Sequence, residues 1–263
     1  MLIRHLLLCT SLLICIPVQA EQTDIVIGFG EAYKPFAWND HGVSAGIQAD
    51  FVEEVLVNQL GLKIVRLACP WRRCQQLVKA GEIDGFFTVP TEEREAYTVK
   101  TAVPFYHTNF VMHTAVGNPH LAKLKTVKNI ADIEKLPEIM HVNMAGSGWH
   151  KYQLRNVKHR TEVQDALIIP KMLVQKRADL YIEQQEMFHY QARSLGLLDQ
   201  IVTLQQPVMY KMPWHLFLSK QSPHVTQLDK INQSLQELQQ SGELEKIRQT
   251  IFKKHGVLLP ELH

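Results

Sequence analysis

Neither sign of charge dominates this chain. Its 28 Lys and Arg stand against 26 Asp and Glu, for a formal net charge of +2. Without a basic excess there is no electrostatic footprint for nucleic acid or for an anionic membrane surface, and neither is expected as a partner. The chain also has no tandem repeat or low-complexity tract, and no long apolar run outside its N-terminus. Several chemical signatures are missing too: a nucleophile with an adjacent base, a phosphate-cradling loop, the HExxH zinc pattern and the CxxC spacing of a low-pKa thiol pair. The 13 histidines are dispersed. His150 stands beside Trp149, while His107, His113 and His120 read as strand and loop residues rather than metal ligands. No metal, no cofactor and no enzymatic activity are therefore expected.

What is present begins with an export signal over residues 1–20. Arg4 and His5 precede an apolar run over 6–18, and Val18-Gln19-Ala20 is a small-residue cleavage site. The run is shorter than the roughly 20 residues a membrane span needs. Cys15 follows Leu-Leu-Ile, where a lipoprotein signal wants a small residue. Cleavage removes Arg4, lowering the formal charge by one, and takes Cys9 and Cys15 away, so that Cys69 and Cys74 remain. In an oxidising compartment these two are expected to form a disulfide. Closing so short a loop contributes about 2 kcal/mol by chain entropy, so its role is to fix the turn that carries Trp71. A redox-active pair is the competing reading.

Strands and helices alternate along the rest of the chain, which points to α/β architecture. Strands are expected at 24–29, 62–68 and 83–89, with a helix over 46–60 ended by Gly61. The segment 102–115 is extended and leads to a Gly117-Asn118-Pro119 break, read as a domain boundary. A second set follows: a helix near 128–134, a strand at 139–143, the turn 145–148 and a helix from 148 to 156. Beyond it come a helix from Pro170 to Arg177, strands at 178–182, 201–204 and 211–218, and helices at 184–195, 223–240 and 242–254.

One stretch, Cys69 to Arg94, reads as the wall of a ligand cleft. After Pro70 and Trp71, the residues Cys74, Leu77 and Val78 follow helical spacing, with Gly81 as a stop. Small molecules bind beyond the carboxyl ends of strands in open α/β sheets, where Trp71 and the loop from Thr88 to Arg94 would fall.

The order of "YKPFAW", "GIQADFVEEVLVNQLGLKI", "PWRRCQQLVKAGEIDGFF", "TEER", "PFY", "GSG" and "INQSLQELQQSGELEKI" after a signal peptide resembles family 3 of the bacterial extracellular solute-binding proteins. These are the polar amino-acid receptors of ABC importers. The resemblance covers essentially the whole chain after residue 20. It implies the type II periplasmic-binding-protein fold, with two mostly parallel sheets flanked by helices and joined by two hinge strands near 104–110 and 205–212. Lobe 1 would comprise 21–107 plus 209–263, and lobe 2 would comprise 108–208. A periplasmic monomer that binds a small-molecule ligand between its lobes and presents it to an ABC permease in the inner membrane is implied. Hinge closure of periplasmic binding proteins is a known switching device, and a ligand drives it only through greater affinity for the closed state.

The resemblance also implies site residues. Tyr33 and Trp71 match the aromatics that sandwich the ligand side chain; otherwise Tyr33 is core and Trp71 caps a helix. Arg94 matches the arginine that clamps the ligand carboxylate; otherwise, beside Glu92, Glu93 and Glu95, it is a solvated charge. Gly146, Ser147 and Gly148 match a turn whose backbone amides receive the same carboxylate. Glu183, at the end of the 178–182 strand, falls one position before the family's acidic residue, where Gln184 stands, and either meets the ligand amine.

Some positions depart from the family pattern. Gly30 replaces an aspartate, with Glu31 beside it. Phe87 and Val89 replace a glycine and a threonine, although Thr88 can compensate, and Met144 occupies a position that is sometimes lysine. An amino-acid receptor with altered contacts and a receptor for another small carboxylate or amine both fit. So does a periplasmic sensor that reports to a membrane kinase. A rival of a different class is a dehydratase-like enzyme in which Glu31 and Glu183 face each other as acid and base.

Overall fold

The structure, a computed structural model, describes residues 24–145 and 147–257. The expected export signal lies outside them. The first strand, β1 (Ile25–Gly30), is almost wholly buried, as befits a central strand. Three short antiparallel strands follow: β2 (Ala32–Tyr33), β3 (Ala37–Asp40) and β4 (Val43–Ala45). Gly46, at φ 118°, then starts α1 (Ile47–Val52); a Cβ there would lie 2.6 Å from the Phe36 carbonyl oxygen, so glycine alone lets the chain pass. The helix continues as a π-helical stretch over Glu53–Gln59 and buries Ile47, Phe51, Val52, Val55 and Leu56.

Next come β5 (Ile64–Cys69), α2 (Trp71–Ala80) and β6 (Gly85–Thr88). Strands β5 and β6 flank β1 in parallel, as helical crossovers dictate. Helix α2 buries Cys74 and Val78, one turn apart, and ends at Gly81 in the left-handed conformation. The Cys69–Cys74 disulfide is present, with 5.7 Å between Cα atoms, and ties the end of β5 to the first turn of α2.

A six-residue helix, α3 (Glu92–Tyr97), is capped by the Thr91 hydroxyl, which accepts from the Arg94 backbone N–H, and is followed by β7 (Thr98–Lys100). The long strand β8 (Tyr106–Ala115) then leaves this first group of elements. Beyond it lie α4 (Leu121–Leu124), α5 (Ile130–Glu134), β9 (His141–Met144), α6 (Gly148–Gln153), β10 (Arg160–Val163), α7 (Ile169–Val174), β11 (Tyr181–Gln184), α8 (Gln185–Ser194) and β12 (Ile201–Leu204). The second long strand, β13 (Tyr210–Ser219), returns the chain, which ends in α9 (Leu228–Gln240) and α10 (Glu243–Lys254).

Two strands do the joining. Residues 106–110 of β8 pair with 210–214 of β13, after which β8 pairs with β11 and β12, while β13 pairs with β6 and β7. The sheets are consequently mixed. Parallel pairs join β1 to β5 and β6, and β9 to β10, and the crossing strands contribute antiparallel ones.

The core divides in the same way. One cluster joins Ile25, Phe51, Phe87 and Tyr106 to Trp214, Ile231, Leu235, Ile247 and Phe252, so the last two helices pack on the first elements of the chain. Others gather Phe110, Met112, Leu124, Leu154 and Leu180, and Val142, Leu173, Tyr181 and Phe188. Asp50 on α1 accepts from His255, just beyond α10, at 2.7 Å and pairs with Lys254, the last residue of α10, at 2.8 Å. Burial opposes the Asp50 charge, yet these bonds hold its pKa below the ordinary value.

Most expected elements form within a few residues of the positions read from sequence, with three differences. The Gly117-Asn118-Pro119 break is a turn inside the second body, because Leu124 beyond it shares a core with Phe110 and Met112 before it. The loop expected up to Arg94 contains the start of α3. The strand expected at 178–182 is shifted to Tyr181–Gln184 by its pairing with 110–113 of β8, so Glu183 lies within it rather than at its end.

Candidate functional site

The carboxyl ends of the three parallel strands converge on one place. Gly30 closes β1, Pro70 and Trp71 follow β5, and Thr88 closes β6; all four line a cavity of about 480 Å³ with Glu31, Tyr33, Gln48, Phe87 and Trp214. Its walls are aromatic. Trp214 lies parallel to Phe87 at 6.3 Å and stacks on Phe36 at 5.6 Å, which in turn stacks on Tyr33 at 5.2 Å. Gly30 has no atom within 4 Å of where a Cβ would stand, so its missing side chain leaves room in the cavity.

A second cavity of about 650 Å³ adjoins the first through Glu31, Ala32 and Tyr33. Its far side comes from the second body: Met144 at the end of β9, Leu167 before α7, Tyr181 and Glu183 on β11, and Met187 and Tyr190 on α8. Together the two cavities span the seam between the bodies.

A chain of hydrogen bonds crosses the same seam. Trp214 Nε1 donates to Thr108 Oγ1 at 3.0 Å, Thr108 Oγ1 donates to Gln184 Oε1 at 2.8 Å, and Gln184 Nε2 donates to the Tyr33 hydroxyl at 2.8 Å. These four residues lie on β13, β8, β11 and β2, so the network ties the rim strand of one body to the crossing strands and to the other body. Burial holds the Tyr33 phenol above its ordinary pKa, with Glu183 adding to the effect. The buried Gln184 amide thus has partners on both its oxygen and its nitrogen.

Glu183 accepts from the Tyr181 hydroxyl at 3.0 Å and from the Gln184 backbone N–H at 2.8 Å. Burial raises its pKa, against the lowering by His150 and these hydrogen bonds. Glu31 is half-buried and is shared by both cavities. The structure therefore places Glu31, Tyr33, Trp71 and Thr88 on the first cavity and Glu31, Tyr33 and Glu183 on the adjoining second one.

Arg94, Ser147 and Gly148 line neither cavity. The Nη1 of Arg94 donates to the Val89 carbonyl at 2.7 Å, its Nε points to Gln75 Oε1 at 3.4 Å, and the guanidinium carbon lies 5.2 Å from the centre of the Trp71 ring. Burial lowers the Arg94 pKa, although a guanidinium keeps its charge. Gly146 lies outside the described residues. Ser147 caps α6 by accepting from the His150 backbone N–H at 3.4 Å, and Gly148 is the first residue of that helix. Sequence reasoning missed Trp214, Gln48, Tyr190 and Met187. Trp214 had a usable signal, a tryptophan in a strand expected next to a hinge crossing; the others are placed by tertiary packing alone.

The family model of bacterial extracellular solute-binding proteins, family 3, matches residues 25–254. Comparison with curated proteins found no match. Among solved structures, the chain is similar to an ancestral cationic amino-acid solute-binding protein (20% identity, 87% of this chain and 95% of that chain, TM-score 0.65). It is also similar to the arginine-, lysine-, histidine-binding protein ArtJ of Geobacillus stearothermophilus (18%, 91% and 98%, TM-score 0.58). A third similarity is to a histidine kinase sensor domain that resembles periplasmic binding proteins (17%, 90% and 98%, TM-score 0.61). At these identities the likeness carries the type II periplasmic-binding-protein fold.

Proposed function

We propose that this chain, which belongs to family 3 of the bacterial extracellular solute-binding proteins, captures a small polar solute between two lobes. The first lobe comprises residues 21–107 with 209–263 and the second 108–208, and strands β8 and β13 serve as the hinge. The observation that carries this reading is the cleft. Two adjoining cavities, within the size range of small-molecule sites, share Glu31, Ala32 and Tyr33, and the second draws its walls from both bodies. Amino acids and their close relatives are the solute class, a reading supported by two structural neighbours described as amino-acid-binding. Trp71, Tyr33 and Trp214 enclose the body of the solute, Thr88 and Gln48 offer hydrogen bonds, and Glu31 and Glu183 face its charged end. Arg94 braces the Trp71 ring.

The protein acts in the periplasm as a monomer after export and hands its solute to an ABC importer. A sensor role, in which a membrane kinase reads the closed form, is the second reading, favoured by the likeness to a sensor domain over 98% of that chain. Both readings rest on the same binding event. A thermal-shift screen of the purified protein against amino acids, amines, organic acids and short peptides tests it. A solute at a hundred times its dissociation constant should add about 2.7 kcal/mol of stability and be recovered chemically unchanged. A solute that is consumed would favour acid and base chemistry between Glu31 and Glu183, and a screen without any stabilising solute would count against the receptor reading.

A further inference from the structure

The charges around the cleft are one-sided. The first cavity is lined by a single charged residue, Glu31, and the second by Glu31, Glu183 and Lys34. Lys34 is exposed, and its Nζ lies over the Trp38 ring at 5.3 Å. Among the described residues, Glu31 and Glu183 make no ion pair, and the side chain of Glu31 has no hydrogen-bond partner. Glu31 thus borders a first cavity with Tyr33, Trp71, Phe87 and Trp214 among its walls, and Glu31 and Glu183 border the adjoining one together with Tyr33, Trp38, Tyr181 and Tyr190. Aromatic faces attract cations as well. The side chain that could clamp an anion, Arg94, lies outside both cavities, with Nη1 and Nε directed at protein acceptors.

We infer that the solute is an organic cation, an amine or a guanidine on an apolar or flat body, recognised through its positive end by Glu31 and Glu183, and that it needs no carboxylate. This rests on the reading of the cleft as a solute site and narrows it. The cation supplies the ion-pair partner that Glu31 and Glu183 lack, and the aromatic walls hold the hydrocarbon part. A carboxylate on the solute would meet no cationic side chain in the first cavity and would approach Glu31 instead.

Calorimetry on the full chain at neutral pH, with matched pairs, tests this: arginine and agmatine, lysine and cadaverine, tryptophan and tryptamine, with glutamate as the anionic control. In at least one pair the amine binds as tightly as its parent amino acid or more tightly, and glutamate does not bind. Glu183→Gln weakens that amine about tenfold or more, as expected for a hydrogen bond to a charged group. Glu31→Gln, at a half-buried position beside the sheet, serves as the second variant should Glu183→Gln unfold. Binding of a parent amino acid with loss of its amine overturns the inference, as does binding of glutamate or of neutral solutes alone; both outcomes leave the receptor reading standing. Absence of binding by every cation overturns the inference, and the receptor reading falls with it only when the wider solute screen is also blank.

Discussion

Glu186 offers a perturbation whose size follows from its surroundings. It sits in the first turn of α8, buried, next to Met187, which packs into the core of the other body, and its Oε2 has no hydrogen-bond partner. Burial raises its pKa from 4.5 to about 7; hydrogen bonding to its own backbone and the Arg248 charge act downwards, and Glu183 adds repulsion. The unfolded carboxyl therefore loses its proton near pH 4.5, while the folded one keeps it to about pH 7. Below the first value ionisation costs nothing. Between the two, stability falls by about 1.4 kcal/mol per pH unit, and above the second the loss levels off at about 3 kcal/mol. Glu186→Gln keeps the shape and removes the ionisation. Its amide still leaves polar atoms unpaired at a cost independent of pH, so the informative quantity is the pH dependence of the difference. Urea unfolding of both proteins at a series of pH values should show the variant gaining about 3 kcal/mol on the wild type between pH 4.5 and 8. Titrating groups that do not interact with Glu186 cancel in that difference, Glu183 modulates it, and a difference that stays flat across the range refutes the reasoning.

Three other expectations can be tested in parallel. His141 is fully buried, and desolvation, helped by His150, lowers its pKa from 6.5 to about 3. The folded state thus refuses a proton that the unfolded state accepts, and stability is lost as pH falls below 6.5. His141→Leu should remove about 1.4 kcal/mol per pH unit from that slope, and an unchanged slope in urea titrations would count against it. Gln184→Ala strips partners from Tyr33 and Thr108 and should cost about 1–3 kcal/mol for each buried group left unpaired; a double-mutant cycle with Tyr33→Phe that shows no coupling would speak against the cross-seam network. Trp71→Ala should weaken aromatic or cationic solutes by about 1–2 kcal/mol, roughly five- to thirtyfold in Kd; equal loss for small polar solutes, read by calorimetry, would mark Trp71 as structural.

The elements legible in the sequence are those whose signal is local and redundant. Helix α2 has its apolar pair at Cys74 and Val78 and a glycine at Gly81 that takes up the left-handed conformation, so both its face and its end are written in the chain. Strands β2 to β4 are two to four residues long, too short to show a period, and they went unseen although Tyr33 and Trp38 lie on them. Helix α3 does carry a start signal, Thr91 followed by acidic residues in the first turn. At the site, Trp71 and Thr88 follow from the rule that ligands gather beyond strand ends. The direction of Arg94 depends on where folding sets Gln75, Val89 and the Trp71 ring, and the use of Gln184 as a bridge and the burial of Glu186 depend on how the two bodies meet at the seam. No spacing within one segment encodes that.

The account turns on the cleft beneath Gly30. Gly30→Leu places a side chain into the open first cavity, at a backbone position with no positive φ and no atom within 4 Å of the new Cβ. Calorimetric titration of wild type and variant with the tightest solute from the screen is the direct test. The account predicts one solute per chain for the wild type, and loss of binding in the variant with its unfolding curve unchanged. Equal affinity in a folded Gly30→Leu protein would show that the solute binds elsewhere and would contradict it.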